Sequence, residues 1–374
     1  MAYLEINITE IKNNIRKVST YLNKHNIHWS LITKVFSGDK DFMSKILTPD
    51  IVKDLHSVGD SRLSSLKNLK ELNPDLVTIY IKPPAMAYLE DIVRYADIST
   101  NTSLKTIKAL NEVAKKQDKI HKVMVMIELG ELREGVNRDD FAEFYKNIFN
   151  LSHIEVVGIG SNLGCMYGIE PTYDKLLQLI LYKELTELKH GDKLPLVSGG
   201  SSITLPMVET SSIPKGINHF RIGEAAFFGT SPLDSNQFLD LCTDTFNFYT
   251  QIIELEEKDI VPDGVISEAN VGHTAEFDEE DNSRKSYKAI LDFGLLDVDQ
   301  DGLISDDKEI KLVGITSDMT VVDIGNNRNK DKTKKYNVGD HLCLDPSYLA
   351  VARLLSSKFV EKVFIEDSCI LKKD

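Results

Sequence analysis

From Ile8 onward the chain alternates two hydrophobic patterns. Ile8, Ile11, Ile15, Val18 and Leu22 recur at helical spacing and define one apolar helix face. Apolar runs of strand length follow at 28–35, 54–58, 76–82, 96–100, 122–129, 154–161, 194–198 and 219–223. Between most of them lie helical patterns, among them Ser103–Lys115, Asp139–Phe149 and Thr172–Leu188. Strands buried on both faces read as near-continuous apolar runs, and their alternation with helices predicts a parallel sheet. Eight such units predict an α/β fold, a TIM-type (β/α)8 barrel over residues 1–232.

Beyond about residue 235 the texture changes. Phe246–Leu255, Tyr287–Phe293, Ile310–Ile315, Met319–Ile324 and His341–Leu344 read as strands, with turns at Pro262-Asp263-Gly264 and Val338-Gly339-Asp340. Helical periodicity returns only at Tyr348–Lys358. This predicts a mainly β C-terminal domain over 233–374. The basic stretch Asn326–Lys335 reads as a solvated loop.

Composition narrows the function classes. With 42% hydrophobic and 27% charged residues the chain reads as globular. A net charge of −14 argues against a polyanion such as DNA as partner and weakly favours a cationic small molecule. No apolar run has the length of a membrane span, and the start, Met1-Ala2-Tyr3-Leu4-Glu5, lacks the features of a secretory signal. Four scattered cysteines, Cys165, Cys242, Cys343 and Cys369, fit free thiols in a reducing cytoplasm.

In (β/α)8 barrels the C-terminal ends of the strands carry the chemistry. Lys34 ends the first strand, which makes it a candidate for covalent amine chemistry. On position alone, a surface lysine capping a strand is the simpler reading. Ser198-Gly199-Gly200-Ser201-Ser202 follows the seventh strand, where glycines, hydroxyls and backbone N–H groups suit a phosphate. Arg133 follows strand five, Asn162 follows strand six and Arg221 lies within strand eight. With Lys34 they form a ring of polar groups around one barrel mouth.

As an ordered set these motifs resemble the alanine racemase superfamily, in particular its alanine/ornithine racemase-like branch. The resemblance runs over nearly the whole chain. It implies pyridoxal 5′-phosphate (PLP) carried on a lysine in a barrel followed by a C-terminal β domain. Thr33-Lys34 matches the family's cofactor lysine. Glu128-Leu129-Gly130-Glu131-Leu132-Arg133-Glu134-Gly135 matches its acid-x-Gly-x-x-Arg-x-Gly motif, whose arginine contacts the cofactor's phenolic oxygen. Ser161-Asn162 falls where the family often has Thr-His beside the ring, and Gly200-Ser201 falls at its phosphate-binding pair. Arg221-Ile222-Gly223 matches its Arg-x-Gly, whose arginine faces the pyridine nitrogen. Thr316–Asp323, with Asp318, resembles the Cys-Met-Asp block of its β domain. An arginine does not give up its proton, so the pyridine nitrogen stays unprotonated. That weakens the cofactor's draw on electrons and favours proton exchange over decarboxylation or amino transfer.

The chain departs from the family at informative places. No Ser-Tyr-Gly context supplies the second acid/base, which in the family comes from the partner's β domain in a homodimer. The corresponding stretch is Ala269-Asn270-Val271-Gly272-His273-Thr274, so His273 is the candidate, against an ordinary surface histidine. Tyr287, at a strand start, is a poorer one. A pocket tyrosine in a Gly-Tyr-Ala-Asp context becomes Gly294-Leu295-Leu296-Asp297, which leaves room for a longer side chain. A lysine carbamylated in some alanine racemases is Met126. Asp297-Val298-Asp299-Gln300-Asp301-Gly302 resembles the start of a calcium loop, but Lys308 stands at the twelfth position, so an acidic turn without metal is expected. Asp297 or Asp299 is a candidate partner for the distal ammonium of ornithine or lysine. These residues predict a PLP-dependent racemase of ornithine, then lysine or alanine. Two alternatives stand beside it. One is a metal-assisted D-amino-acid lyase or aldolase using His341-Leu342-Cys343. The other is a non-catalytic PLP carrier, against which the extra β domain argues.

Overall fold

The structure, a computed structural model, describes residues 2–266, 272–274, 284–305 and 307–366. The chain forms two compact units, Glu10–Thr243 and Met1–Thr9 joined with Asp244–Asp374. Strand β1 (Tyr3–Asn7) belongs to the second unit. The first unit is a closed barrel of parallel strands. Its strands are β2 (His28–Ile32), β3 (Ser57–Asp60), β4 (Thr78–Tyr80), β5 (Ile98–Asn101), β6 (His121–Met126), β7 (Ile154–Gly160), β8 (Leu196–Gly200) and β9 (His219–Ile222). β9 pairs back to β2, with Ser30 opposite Arg221, which closes the ring. All eight expected barrel strands are present, within a few residues of their expected ends.

Helices pack around the strands for the reason their periodicity gives. In helix Ile8–Lys24, Ile11, Ile15, Val18 and Leu22 are fully or almost fully buried. In helix Leu104–Lys116, Ile107, Leu110 and Ala114 do the same, and the Ser103 side chain accepts from the Thr106 N–H at its start. Helix Tyr173–His190 is capped by the Thr172 side chain and stopped by Gly191 in the left-handed region. Ile79, Ile98, Met124, Met126, Val157 and Leu196 form one buried cluster, so Met126 occupies an apolar position.

The second unit is a mainly antiparallel sheet. It contains β10 (Phe246–Asp259), β11 (His273–Thr274), β12 (Lys285–Leu291), β13 (Leu303–Ser305), β14 (Lys311–Ile315), β15 (Thr320–Asp323), β16 (His341–Pro346) and β17 (Glu361–Ile365). The order along the sheet is β11-β14-β15-β12-β10-β1-β17, with β16 pairing β10 and β13. β1 runs antiparallel to β10 and parallel to β17, and Tyr3 stacks on Tyr249 at 4.8 Å between ring centroids. Helix Tyr348–Ser356 is the expected one.

Candidate active site

The acid-x-Gly-x-x-Arg-x-Gly segment is a closed loop after β6. The Glu128 backbone N–H donates to the Val136 carbonyl at 3.0 Å, and the Val136 N–H donates to Met126 at 2.8 Å. The Glu128 carboxylate accepts from the N–H groups of Gly130 and Arg133. A side chain at Gly135 (φ +150) would stand 2.3 Å from the Glu128 nitrogen, so only glycine closes this loop. The motif's acid and second glycine therefore shape the backbone that presents Arg133. Glu131 adds a tether. It is 1% exposed, and its carboxylate accepts from the N–H groups of Cys165, Met166, Tyr167 and Ile169 in the loop after β7. Burial alone would raise its pKa, but these four donors hold it down at about 2.

Arg133 forks onto its neighbour Glu134, with Nη2 donating at 2.6 Å. This hydrogen bond pushes the arginine's pKa further up. Glu134 also accepts from the Asn162 amide, and Asn162 Oδ1 accepts from Arg221 Nη2 at 2.6 Å. Side chains from the ends of three strands, β6, β7 and β9, are thus linked by one carboxylate and one amide. Arg221 donates further from Nη2 to the Ser161 carbonyl at 2.7 Å and from Nη1 to the Ser198 carbonyl at 3.1 Å and to the Ser198 hydroxyl. Burial pulls its pKa down to about 10, so it remains a cation at neutral pH. Both terminal nitrogens are occupied, and Nε–H has no acceptor among the described residues.

Lys34 stands exposed just past β2, after the buried Thr33. Its charge acts on Glu224, whose carboxyl is pushed up by burial and partly drawn back by Lys34. Glu224 opens the short helix Glu224–Phe228 directly after Gly223. A side chain at Gly223 would stand 2.9 Å from the Ile32 carbonyl, so this glycine brings the chain close to the end of β2. Ser201 caps the turn Ser202–Thr204, while the Ser202 hydroxyl accepts from the Ala225 N–H at 3.1 Å. Gly200 is packed against the Phe220 ring, 2.1 Å from where a side chain would begin. Ser198 is placed apart from this turn: it is fully buried, and its hydroxyl serves Arg221 and His219.

The β unit holds the remaining candidates. His273 Nε2 lies 3.7 Å from Asp299 Oδ2, and Arg353 Nη1 lies 3.7 Å from the same oxygen. Asp299 also accepts from the Asp301 N–H, which forms the acidic turn. Asp297 is taken up by the fold: Oδ1 accepts from the Ser357 hydroxyl at 2.7 Å and Oδ2 from the Gly294 N–H at 3.4 Å. Asp318 is exposed and accepts from the Ser317 hydroxyl at 3.1 Å. Its backbone packs against Gly294, where a side chain would meet the Asp318 nitrogen at 2.4 Å. Ala269–Val271 lie outside the described residues. His341 and Cys343 sit two apart on β16, and among the described residues no third His, Cys, Asp or Glu gathers with them as a metal site. Cys165, Cys242 and Cys343 form no disulfide among the described residues, and Cys369 lies outside them.

With this geometry the chain can be set against known proteins. The profile of the alanine racemase N-terminal domain matches residues 6–232. The chain belongs to the alanine racemase family. It is 33% identical to the ornithine racemase of Acetoanaerobium sticklandii over 365 residues, 96% of this chain and 98% of that one. It is 32% identical to the lysine racemase of Thermotoga maritima over 362 residues, again 96% and 98%. Among solved structures, alanine racemase from Bartonella henselae with covalently bound pyridoxal phosphate superposes with a TM-score of 0.72 at 14% identity, covering 97% of this chain and 99% of that one. The fold is therefore that of the alanine racemases, barrel and β domain together, and the chain is an amino-acid racemase of this family.

Glu134, Glu224 and His219 were not among the residues expected from sequence. For Glu134 a signal existed, since it lies inside the recognised motif next to Arg133. For His219 the signal was its place two residues before Arg221, on the same strand face.

Proposed function

We propose that the protein is a PLP-dependent racemase of a basic amino acid, with ornithine first and lysine next. The observation that carries this reading is the near-full-length similarity to two racemases whose names specify diamino acids. The donor set fits the cofactor. A single amine stands at the first strand end, a buried arginine keeps one N–H without an acceptor among the described residues, and a second arginine and an amide flank it. In this reading Lys34 holds PLP covalently and carries one proton at the substrate α-carbon. Arg221 would hold the pyridine nitrogen as a pure donor and Arg133 the phenolic oxygen, with Asn162 beside them. The turn at Gly200 and Ser201, together with Gly223, would frame the phosphate, while Ser198, first expected there, lies behind it on Arg221. Bound PLP draws electron density from the α-carbon and so acidifies its hydrogen.

His273 serves as the second acid/base, placed on the opposite face by a homodimeric arrangement in which one protomer's β unit completes its partner's barrel. Asp299, and with it Asp297 and Asp318, lies on the turns that would receive the substrate's distal ammonium. A charge-assisted hydrogen bond there is worth about 1.5–3 kcal/mol, about ten- to a hundredfold in specificity. Among the described residues no helix is long and apolar enough to cross a membrane. Cysteines that form no disulfide among the described residues suit the cytoplasm, where we place the enzyme. The test is incubation with L-ornithine, L-lysine and L-alanine in D₂O, following loss of the α-proton and of optical rotation. Ornithine or lysine should exchange fastest; preference for alanine would defeat the diamino-acid reading.

A further inference from the structure

We infer that His219 is a positioning residue for Arg221, acting through the Ser198 hydroxyl in a buried hydrogen-bond chain whose donor direction is fixed. The inference rests on the reading that Arg221 meets the cofactor. Arg221 can only donate, so the Ser198 oxygen accepts from Nη1. The hydroxyl hydrogen has one acceptor within reach among the described residues, His219 Nδ1 at 2.7 Å, and we assign it there. Nδ1 is therefore unprotonated, and Nε2 carries the hydrogen towards the Ser30 hydroxyl at 3.0 Å. Ser30 in turn meets the Ser57 hydroxyl at 2.7 Å. Ser30, Ser57, Ser198 and His219 are all buried, at 0–2% exposure.

Apolar side chains would fill this space without the cost of desolvating four polar ones. What the polar chain adds is direction. Without an acceptor at His219, the Ser198 hydroxyl could rotate its hydrogen towards the guanidinium and repel it. With His219 in place, Ser198 presents a lone pair. All four hydrogens of Nη1 and Nη2 then have acceptors, which fixes the guanidinium plane and the heading of Nε–H. Arg221 and His219 are two apart on β9, so strand geometry places both on one face. Burial, with the His56 ring edge-on at 5.0 Å and the Arg221 cation nearby, holds the imidazole well below its ordinary pKa and hence neutral.

The experiment uses the full chain with His219→Leu, Ser198→Ala, their double variant and His219→Gln. The glutamine amide can accept from Ser198 and donate to Ser30. Imidazole ¹⁵N NMR of the wild-type protein at neutral pH should show His219 protonated at Nε2 and bare at Nδ1. PLP binding should weaken about tenfold in His219→Leu and equally in Ser198→Ala, the size of one hydrogen bond to a charged group. The double variant should be no worse than either single one, because both cut the same chain. His219→Gln should return to within about threefold of wild type, and kcat should follow the same order with KM for ornithine little changed. An Nδ1–H tautomer, multiplying effects in the double variant, or wild-type PLP affinity in a folded His219→Leu would overturn the inference. If His219→Leu fails to fold, Ser198→Ala, His219→Gln and the NMR spectrum decide. NMR and PLP affinity need no turnover, so they separate failure of this inference from failure of the racemase reading.

Discussion

The barrel unit and the β unit hold their candidate residues in different ways. Arg133, Asn162 and Arg221 come from three strand ends spread over almost ninety positions, and strand register brings them onto one connected set of hydrogen bonds. Asp297 and Asp299 come from one turn. There the same carboxylates proposed to meet the substrate also close the local fold, Asp297 through Ser357 and Gly294, and Asp299 through Asp301. In the barrel, strand pairing and two carboxylates that are not candidates, Glu128 and Glu131, set the shape. In the β unit, shape and recognition compete for the same oxygens. This contrast predicts that substitutions in the barrel remove catalysis outright, while those in the β turn divide between stability and substrate choice.

The largest effect should come from Lys34→Ala. On the proposed assignment, loss of the amine would remove both the covalent hold on the cofactor and one proton carrier, so α-proton exchange with ornithine should fall by at least about a thousandfold. The circular dichroism spectrum should stay that of the folded protein, because Lys34 is exposed at a strand end. Residual exchange within about tenfold of wild type would break the barrel side of the comparison.

A second effect separates the barrel's packing from its chemistry. His121, 2% exposed and bonded to the Ser99 hydroxyl at 2.8 Å, is pulled by burial from 6.5 down to about 4. Its folded value lies below its unfolded one, so the unfolded chain binds the proton first. Stability should be full above about pH 6.5 and fall by about 3 kcal/mol as pH drops towards 4, then level off for this group. In His121→Gln the loss across that window should shrink, as denaturant melts at several pH values would show. An unchanged slope would mean that another group carries the acid sensitivity.

In the β unit, Asp299→Ala should lower the ornithine-to-alanine rate ratio about ten- to a hundredfold. Asp297→Ala should act chiefly on stability, by about 1–2 kcal/mol, since Ser357 and Gly294 lose their acceptor. Competitive racemisation assays and thermal melts on both variants read the two effects apart. If Asp297→Ala instead moves the ratio and Asp299→Ala does not, their roles are exchanged.

How much of this was legible in the sequence follows from the same contrast. The barrel strands could be read because each is a buried run of its own, and the site motifs because they sit at strand ends in order. Helices Lys40–Ile46 and Leu89–Tyr95, seven residues each, are too short for a clear period, whereas Leu63–Leu72 carries its signal in Leu63, Leu66, Leu69 and Leu72. Tyr3–Asn7 and Glu361–Ile365 are not legible as strands because their pairing joins opposite ends of the chain. The motif and the two-residue spacing point to Glu134 and His219, but their partners, Asn162 and Ser198, depend on which strand lies beside them. The commitment of Asp297 to Ser357, sixty residues away, leaves no mark on either segment.

The central claim is that the chemistry resides on Lys34 at the barrel mouth. Borohydride treatment of the protein loaded with PLP, followed by peptide mass mapping, tests it most directly. The account predicts one pyridoxyl modification, on the peptide that contains Lys34, with loss of racemase activity in proportion. Modification at another lysine, or none with activity intact, would contradict it.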